Sequence, residues 1–279
     1  MILVGFDTET TGLDVQKEHI IQLSLVKFDT ETWENIDTRD WYILPEGDFE
    51  IPKEAEAVHH ISKEFLLERG VSLRSVYEEL VTFTEGCDML SYNGNGYDAP
   101  ILHYNLKRLG LDFAFEGRTW YDALLLERIH TAGMTDENGE KLHNNLTSAY
   151  TRYYGHPFEG AHNSLDDVMA TIEVFKAQVA AHGWEWTKRD EFGFICFDRW
   201  LMKKGNSYIL NMGNNKGQLI DEADRSYLEW IADKCAFTDE QTRAILKDFL
   251  HPAPKKNLLP SRGKKRSRGT ITEADLSLF

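Results

Sequence analysis

The 279-residue chain has little cysteine: Cys87, Cys196 and Cys235 are odd in number, widely spaced and without a Cys-x-x-Cys pair. That argues against a disulfide framework and a structural zinc site, and makes a reducing compartment, the cytoplasm, the expected location. No apolar run approaches the ~20 residues that cross a bilayer, so no membrane association is expected. A strand-like run begins at Ile2 and reaches chemical candidates by Asp7, which leaves no room for a signal peptide. Basic residues are also scarce, 31 Lys and Arg against 46 Asp and Glu, for a net charge of -15. A uniformly acidic surface repels phosphate and would exclude a polyanionic partner. Two features weaken that exclusion. Acids buried on metals do not repel, and the basic residues are segregated: Lys255, Lys256, Arg262, Lys264, Lys265, Arg266 and Arg268 share one stretch free of acids.

What the chain does have stands almost at its start, where Ile2-Leu3-Val4-Gly5-Phe6 runs into Asp7-Thr8-Glu9-Thr10-Thr11-Gly12. In a strand, residues i and i+2 share a face, so Asp7 and Glu9 sit side by side. Two such charges about 4 Å apart repel by roughly 1 kcal/mol in water and about 4 kcal/mol near a protein surface, so the pair needs a proton or a cation. An isolated Asp-x-Glu at a strand end is more often solvated than metal-binding. What matters is whether further carboxylates converge on it.

Ile20 to Phe28 and Trp41 to Leu44, closed by Pro45, read as two more strands, giving an opening meander. Pro52 to Arg69 reads as a loop and a short helix, in which the adjacent His59 and His60 diverge by about 100° and suit packing better than a shared metal. Leu73, Val76, Leu80 and Phe83 give Ser72–Glu85 helical spacing, and Asp88–Tyr92 reads as a buried strand. It leads through Asn93-Gly94-Asn95-Gly96-Tyr97-Asp98 into a helix with Pro100 near its first turn. Asp98 is either the helix cap or a third carboxylate delivered to the sheet edge; local sequence does not separate the two. Asp122–Ile129 and Leu146–Tyr154 read as helices around a polar loop. A long helix to about Ala181 then carries Val168, Ile172, Phe175 and Val179 on one stripe. Ser164 and Asp167 form a capping-box pattern, so Asp167 too has a purely structural explanation. His162 must lie in the loop before that helix if it is to face the same site as Asp167.

Together these segments resemble the histidine-type DEDD exonucleases. Asp7, Glu9, Thr10 and Gly12 match the first motif, Asp-x-Glu-Thr-x-Gly; Asn93, Tyr97 and Asp98 match the second, Asn-x-x-x-Tyr/Phe-Asp. His162, Ser164 and Asp167 match the third, His-x-Ala/Ser-x-x-Asp. The resemblance covers about residues 1–182 and implies an α/β, RNase H-like fold: a mixed sheet opening with an antiparallel meander, with helices on both faces. It also implies a site in which Asp7, Glu9, Asp98 and Asp167 hold two divalent cations, Mg²⁺ or Mn²⁺, as hard oxygen donors suit. Asp7 is then the candidate bridge between them. His162 is the fitting general base, imidazole being the side chain most often used to take such a proton. Asp166 is adjacent to Asp167 but points elsewhere on a helix. Thr10, Thr11, Leu13 and Asn93 are expected beside the terminal nucleotide.

Residues 183–252 change texture and read as a small α+β accessory module, with hairpin strands at Ser207–Leu210 and Gly217–Ile220 and helices from Asp224 and from Thr238. The module resembles the one that follows the nuclease domain in the exodeoxyribonuclease X branch, the branch nearest in layout. Lys216-Gly217 and Tyr227-Leu228-Glu229-Trp230 match its pattern, whereas Met212 and Asn214 replace its Phe and Lys. Tyr227, Leu228 and Trp230 are either the core of the module or a base-stacking surface. Residues 253–279 are rich in Pro and basic residues and are expected to be disordered, with a salt-dependent attraction to phosphates. The terminal Asp275-Leu276-Ser277-Leu278-Phe279 resembles the bacterial sliding-clamp-binding peptide, with Asp275 in place of Gln, and Leu276, Leu278 and Phe279 as the anchors.

The reading is a Mg²⁺-dependent 3′-to-5′ exonuclease acting on the 3′ end of single- or double-stranded DNA, in repair or in proofreading beside a DNA polymerase. An RNA-trimming exoribonuclease is the alternative, because the motifs do not select the sugar. A non-catalytic clamp-tethered adaptor is the alternative from another class, and the intact carboxylate set argues against it.

Overall fold

The computed structural model describes residues 1–115, 118–188 and 200–252, the last stretch without 206, 211–214, 216, 236–237 and 239. Its apolar opening run forms β1 (Ile2–Thr10), which pairs antiparallel with β2 (Ile20–Asp29), and β2 pairs antiparallel with β3 (Asn35–Tyr42). This is the expected meander, although β3 begins well before the apolar stretch at Trp41. It is an edge strand, so the polar residues of its first half need only one paired side. On the other flank β1 pairs parallel with β4 (Asp88–Ser91), and β4 with β5 (Trp120–Asp122), giving the order β3-β2-β1-β4-β5. The sequence reading contains no strand at β5, whose three buried residues are too few to show a period.

Two helices, α1 (Lys53–His59) and α2 (Lys63–Arg69), replace the single one expected after Pro52. His60 ends α1 in the left-handed region, with φ 60°, and Ser62 caps α2 by accepting the Phe65 amide. His59 is buried and its Nδ1 accepts the Ile61 amide, a packing role. The sheet faces are covered separately. On one, Val4 and Phe6 meet α3 (Leu73–Thr84) and α4 (Asp98–Arg108) through Leu80, Phe83 and Leu102. On the other lie α5 (Ala123–His130), α6 (Leu146–Tyr154) and α7 (Ser164–His182), with Leu126, Val168, Ile172 and Phe175 packed on Leu3 and Val26.

The period of two in β1 therefore turns Leu3, Gly5, Asp7 and Glu9 toward α7. Gly5 permits that approach, since a Cβ there would lie 2.7 Å from Val168 Cγ1. Trp184 and Trp186 of α8 (Trp184–Thr187) join the same cluster, so the first core extends beyond residue 182.

A further cluster builds the module. The hairpin β6 (Leu201–Lys204) and β7 (Ser207–Leu210) with α9 (Arg225–Asp233) and α10 (Glu240–Leu250) enclose Leu201, Leu210, Leu228, Ile231 and Leu246. Ser207–Leu210 lies between two partners: it turns back on Leu201–Lys204 through Gly205, at φ 58°, and it pairs as expected with Gly217–Ile220, through the Ile209–Leu219 bridge and the Leu210 to Gln218 and Ile220 to Tyr208 amide–carbonyl bonds, both 2.9 Å; the strand at Leu201 was not expected. The expected disordered segment 253–279, with the peptide residues Leu276, Leu278 and Phe279, lies outside the described residues. Among the described residues no helix is long and apolar enough to cross a membrane.

Candidate active site

The end of β1 and the start of α7 are locked together. Ser164, fully buried, donates its hydroxyl to the Asp7 carbonyl at 2.8 Å across 157 positions of sequence. This corrects the capping-box expectation: Asn163 is the N-cap, its side chain accepting the Leu165 and Asp166 amides, and Ser164 already belongs to the helix. Asp167 follows in the first turn, and carboxylate oxygens of Asp7, Glu9 and Asp167 lie within 4.8 Å of one another. Asp166 is exposed and faces Gly160, where an added Cβ would sit 2.3 Å from its Oδ2.

Asp98 does not cap its helix either. Tyr97 is the N-cap residue, and no side chain caps the end of α4. The Asp98 Oδ1 instead accepts the Thr8 amide at 3.0 Å and the Thr8 hydroxyl at 2.7 Å. Thr8 points to the opposite side of β1 from Asp7 and Glu9. Asp98 therefore approaches from the α4 side, outside the three-carboxylate group but near enough for its charge to bear on both Asp7 and Glu9.

Burial and mutual repulsion make this an uncomfortable place for negative charge. Burial first, then the charges of Asp98, Asp167 and Glu9, raises the Asp7 carboxyl well above its ordinary range. Glu9 is pushed up to about 8 by burial and by Asp167 and Asp98. Asp167 is pushed up to about 6, chiefly by burial, against the opposing backbone N–H of His162. Asp98 is raised because burial outweighs its bonds to Thr8. Groups so placed take up protons or a cation. Asp167 Oδ1 is also buried without a hydrogen-bond partner, which leaves a ligand direction unused. An all-oxygen donor set with an orphaned carboxylate oxygen fits a hard divalent cation.

His162 lies in the loop before α7, exposed and at φ 73°, with its backbone N–H on the Asp167 carboxylate. The loop after β1 is pinned at both ends. Tyr97 donates its hydroxyl to the Gly12 carbonyl at 2.6 Å and lies 2.5 Å from Thr10 Oγ1. Thr11 is buried, its hydroxyl donating to Glu18 at 2.6 Å and accepting the His19 amide at 2.9 Å. Leu13 projects from this loop with 88% of its surface exposed. Asn93 sits at φ 69°, its amide donating to Asp122 Oδ1 at 3.0 Å. Sequence reasoning overlooked Asp122, which is buried and also accepts the Leu124 and Leu125 amides, so it fixes the turn that delivers Asp98. Its position just before a leucine-rich helix is a cap signal. Thr8 gave no signal of its own.

Residues 4–175 match the model of the RNase T exonuclease family, a span that contains Asp7, Glu9, Asp98, His162 and Asp167. The chain is similar to Three-prime repair exonuclease 1 of Homo sapiens, 32% identical over 87 residues, covering 31% of this chain and 28% of that protein. It is also similar to the DNA polymerase III subunit epsilon of Treponema pallidum, 24% identical over 181 residues, covering 64% of this chain and 76% of that one. Among solved structures, E. coli Exonuclease I in complex with a dT13 oligonucleotide shares the RNase H-like fold, with a TM-score of 0.56 at 19% identity over 64% of this chain and 41% of that one. The chain thus spans well under half the length of the repair exonuclease and of Exonuclease I. With the family match running over most of the chain and through every motif, the protein belongs to the RNase T exonuclease family.

Proposed function

We propose that the protein removes nucleoside monophosphates from the 3′ end of DNA. The observation that carries this is the convergence of Asp7, Glu9 and Asp167 within 4.8 Å, beside an exposed His162 that the preceding loop leaves free of the helix. Asp7, Glu9 and Asp167, with Asp98 nearby, would hold two divalent cations, Mg²⁺ or Mn²⁺. Bound there, the ions supply Lewis-acid activation of water and neutralise charge on the leaving 3′ oxygen. His162 takes the proton from the attacking water, the imidazole being a proton acceptor exposed beside the carboxylates. Thr10 and Leu13 line the path of the terminal nucleotide, and the Tyr97–Gly12 and Thr11–Glu18 bonds hold that loop still. The choice of DNA follows the relatives, named as a repair exonuclease, a polymerase subunit and an oligonucleotide-bound exonuclease. Association with a DNA polymerase, and with a sliding clamp through Leu276, Leu278 and Phe279, belongs to the same reading.

The test is incubation of 5′-labelled single- and double-stranded DNA and RNA with Mg²⁺, with and without EDTA. The wild-type chain should shorten DNA from its 3′ end and release mononucleotides. Asp7→Ala and His162→Ala should each lower kcat by at least about 10²-fold, the scale of a lost general base. Undiminished activity in either variant overturns the assignment, and cleavage of RNA alone overturns the choice of DNA.

A further inference from the structure

We propose that the C-terminal module holds a single-stranded stretch of DNA by stacking its bases on Tyr227 and Trp230 of α9. The two residues are three apart on one helix, and their rings are stacked, 16° from parallel with centroids 6.0 Å apart. The core of the module does not require Trp230. Leu228 and Ile231, on the inner side of α9, are 1% and 0% exposed, whereas Trp230 is 43% exposed. Placing a large indole in water on a helix that already has its apolar stripe is costly unless something covers it.

Trp200 adds a second, independent sign. It lies edge-on to both rings, at 6.5 Å and 73° from Tyr227 and at 6.1 Å and 84° from Trp230. It is 6% exposed, and its Nε1, a donor with no acceptor capacity, is buried without a hydrogen-bond partner. Buried indole N–H groups ordinarily find an acceptor, so this aromatic cluster carries an unmet donor against the stacked pair. A nucleobase offers a π-face to the exposed Trp230 ring, and its carbonyl or ring-nitrogen acceptors suit the N–H if Trp200 turns outward on binding.

Charge selects the same occupant. Arg225 on α9 is committed to Glu229 and to the Leu250 carbonyl. Phosphate attraction comes instead from the seven acid-free Lys and Arg residues between 255 and 268, which follow the module directly in sequence. Base faces are presented only by an unpaired strand, since in a duplex they are stacked on one another. This inference rests on the reading of the chain as a nuclease acting on DNA, and extends it to a second contact that holds the strand away from the scissile end.

The test uses the full chain in EDTA, so that nothing is cleaved, with a fluorescein-labelled oligothymidylate of about 16 nucleotides. Anisotropy should show the Tyr227→Ser/Trp230→Ser double variant binding at least about 30-fold more weakly than wild type, the lower end for two lost stacking contacts. Trp230→Phe should bind within about threefold of wild type, because it keeps the ring. The oligonucleotide should quench tryptophan emission in wild type and quench less of it in Trp230→Phe. That comparison decides the matter if the double variant fails to fold. Unchanged affinity in a folded double variant, or equal quenching in wild type and Trp230→Phe, overturns the proposal. Mg²⁺-dependent cleavage of a trinucleotide by wild type, too short to reach a second contact, reads the catalytic assignment separately: its absence with binding intact removes the nuclease reading and leaves the platform standing.

Discussion

At the scale of single residues, the site is a set of carboxylates held where they resist ionising. An unfolded Asp or Glu titrates near pH 4, while in the folded chain Asp167 and Glu9 titrate near 6 and 8 and Asp7 is raised well above its ordinary range. Between these limits the native state binds more protons than the unfolded one, so stability is full below about pH 4 and is lost as pH rises toward 8. The metal-free protein should therefore melt several degrees lower at pH 8.5 than at pH 5 in a calorimetric scan with EDTA. Added Mn²⁺ should flatten or invert that slope, and Asp7→Asn should reduce it; a slope unaffected by either would refute the role given to the cluster. Asp7 and Glu9 stood out in the sequence because two carboxylates on one face of a strand repel without a ligand, whereas Asp98 and Asp167, each open to a capping explanation, stood out only through the resemblance. What their neighbours do was not legible. Thr8 and Ser164 are ordinary hydroxyl residues whose partners, Asp98 and the Asp7 carbonyl, lie 90 and 157 positions away. Local spacing carries no information about contacts of that range.

At the scale of elements, the geometry depends on how closely α7 lies on β1. Gly5→Ala would place a methyl 2.7 Å from Val168 Cγ1 and 3.2 Å from Ile172 Cδ1, both on branched side chains with little room to turn. Denaturant unfolding should show a loss of about 1–3 kcal/mol, the usual cost of overpacking. Because the displaced helix carries Asp167, the Mg²⁺ concentration for half-maximal activity should rise as well. A stable variant with unaltered metal dependence would show that the site tolerates movement of α7. The elements that were easy to read combine an apolar stripe with end signals: α3 after Ser72, α6 between Asn145 and Gly155, and α7 before Gly183. Strands β3 and β5 were not, the first because an edge strand needs no apolar alternation and the second because it is too short. In the second module the pairing of Ser207–Leu210 with 217–220 was legible from the turn residues between them, but the strand at Leu201–Lys204 was not, because four residues with two lysines show no apolar alternation.

At the scale of the whole chain, the hydrophobic cluster that ends with Trp184 and Trp186 is distinct from the one built on Leu201, Leu228 and Leu246. A fragment of residues 1–188 should fold cooperatively and retain metal-dependent cleavage of short oligonucleotides, whereas a cut at 182 should lower its melting temperature by removing both tryptophans. Circular dichroism melts of the two fragments settle this, and equal melting temperatures would remove the part assigned to α8. That the first core reaches past residue 182 was not legible in the sequence, because α8 is a single turn with too few residues to show a period. The hydroxyl bond from Ser164 to Asp7 also sets when the site can form. During synthesis, β1 and its two carboxylates are made before α7 and wait for 157 further residues, roughly 8–30 s at about 5–20 residues per second. Through that interval Asp7 and Glu9 lack Asp167, so the carboxylate group cannot assemble until translation of the domain is nearly done.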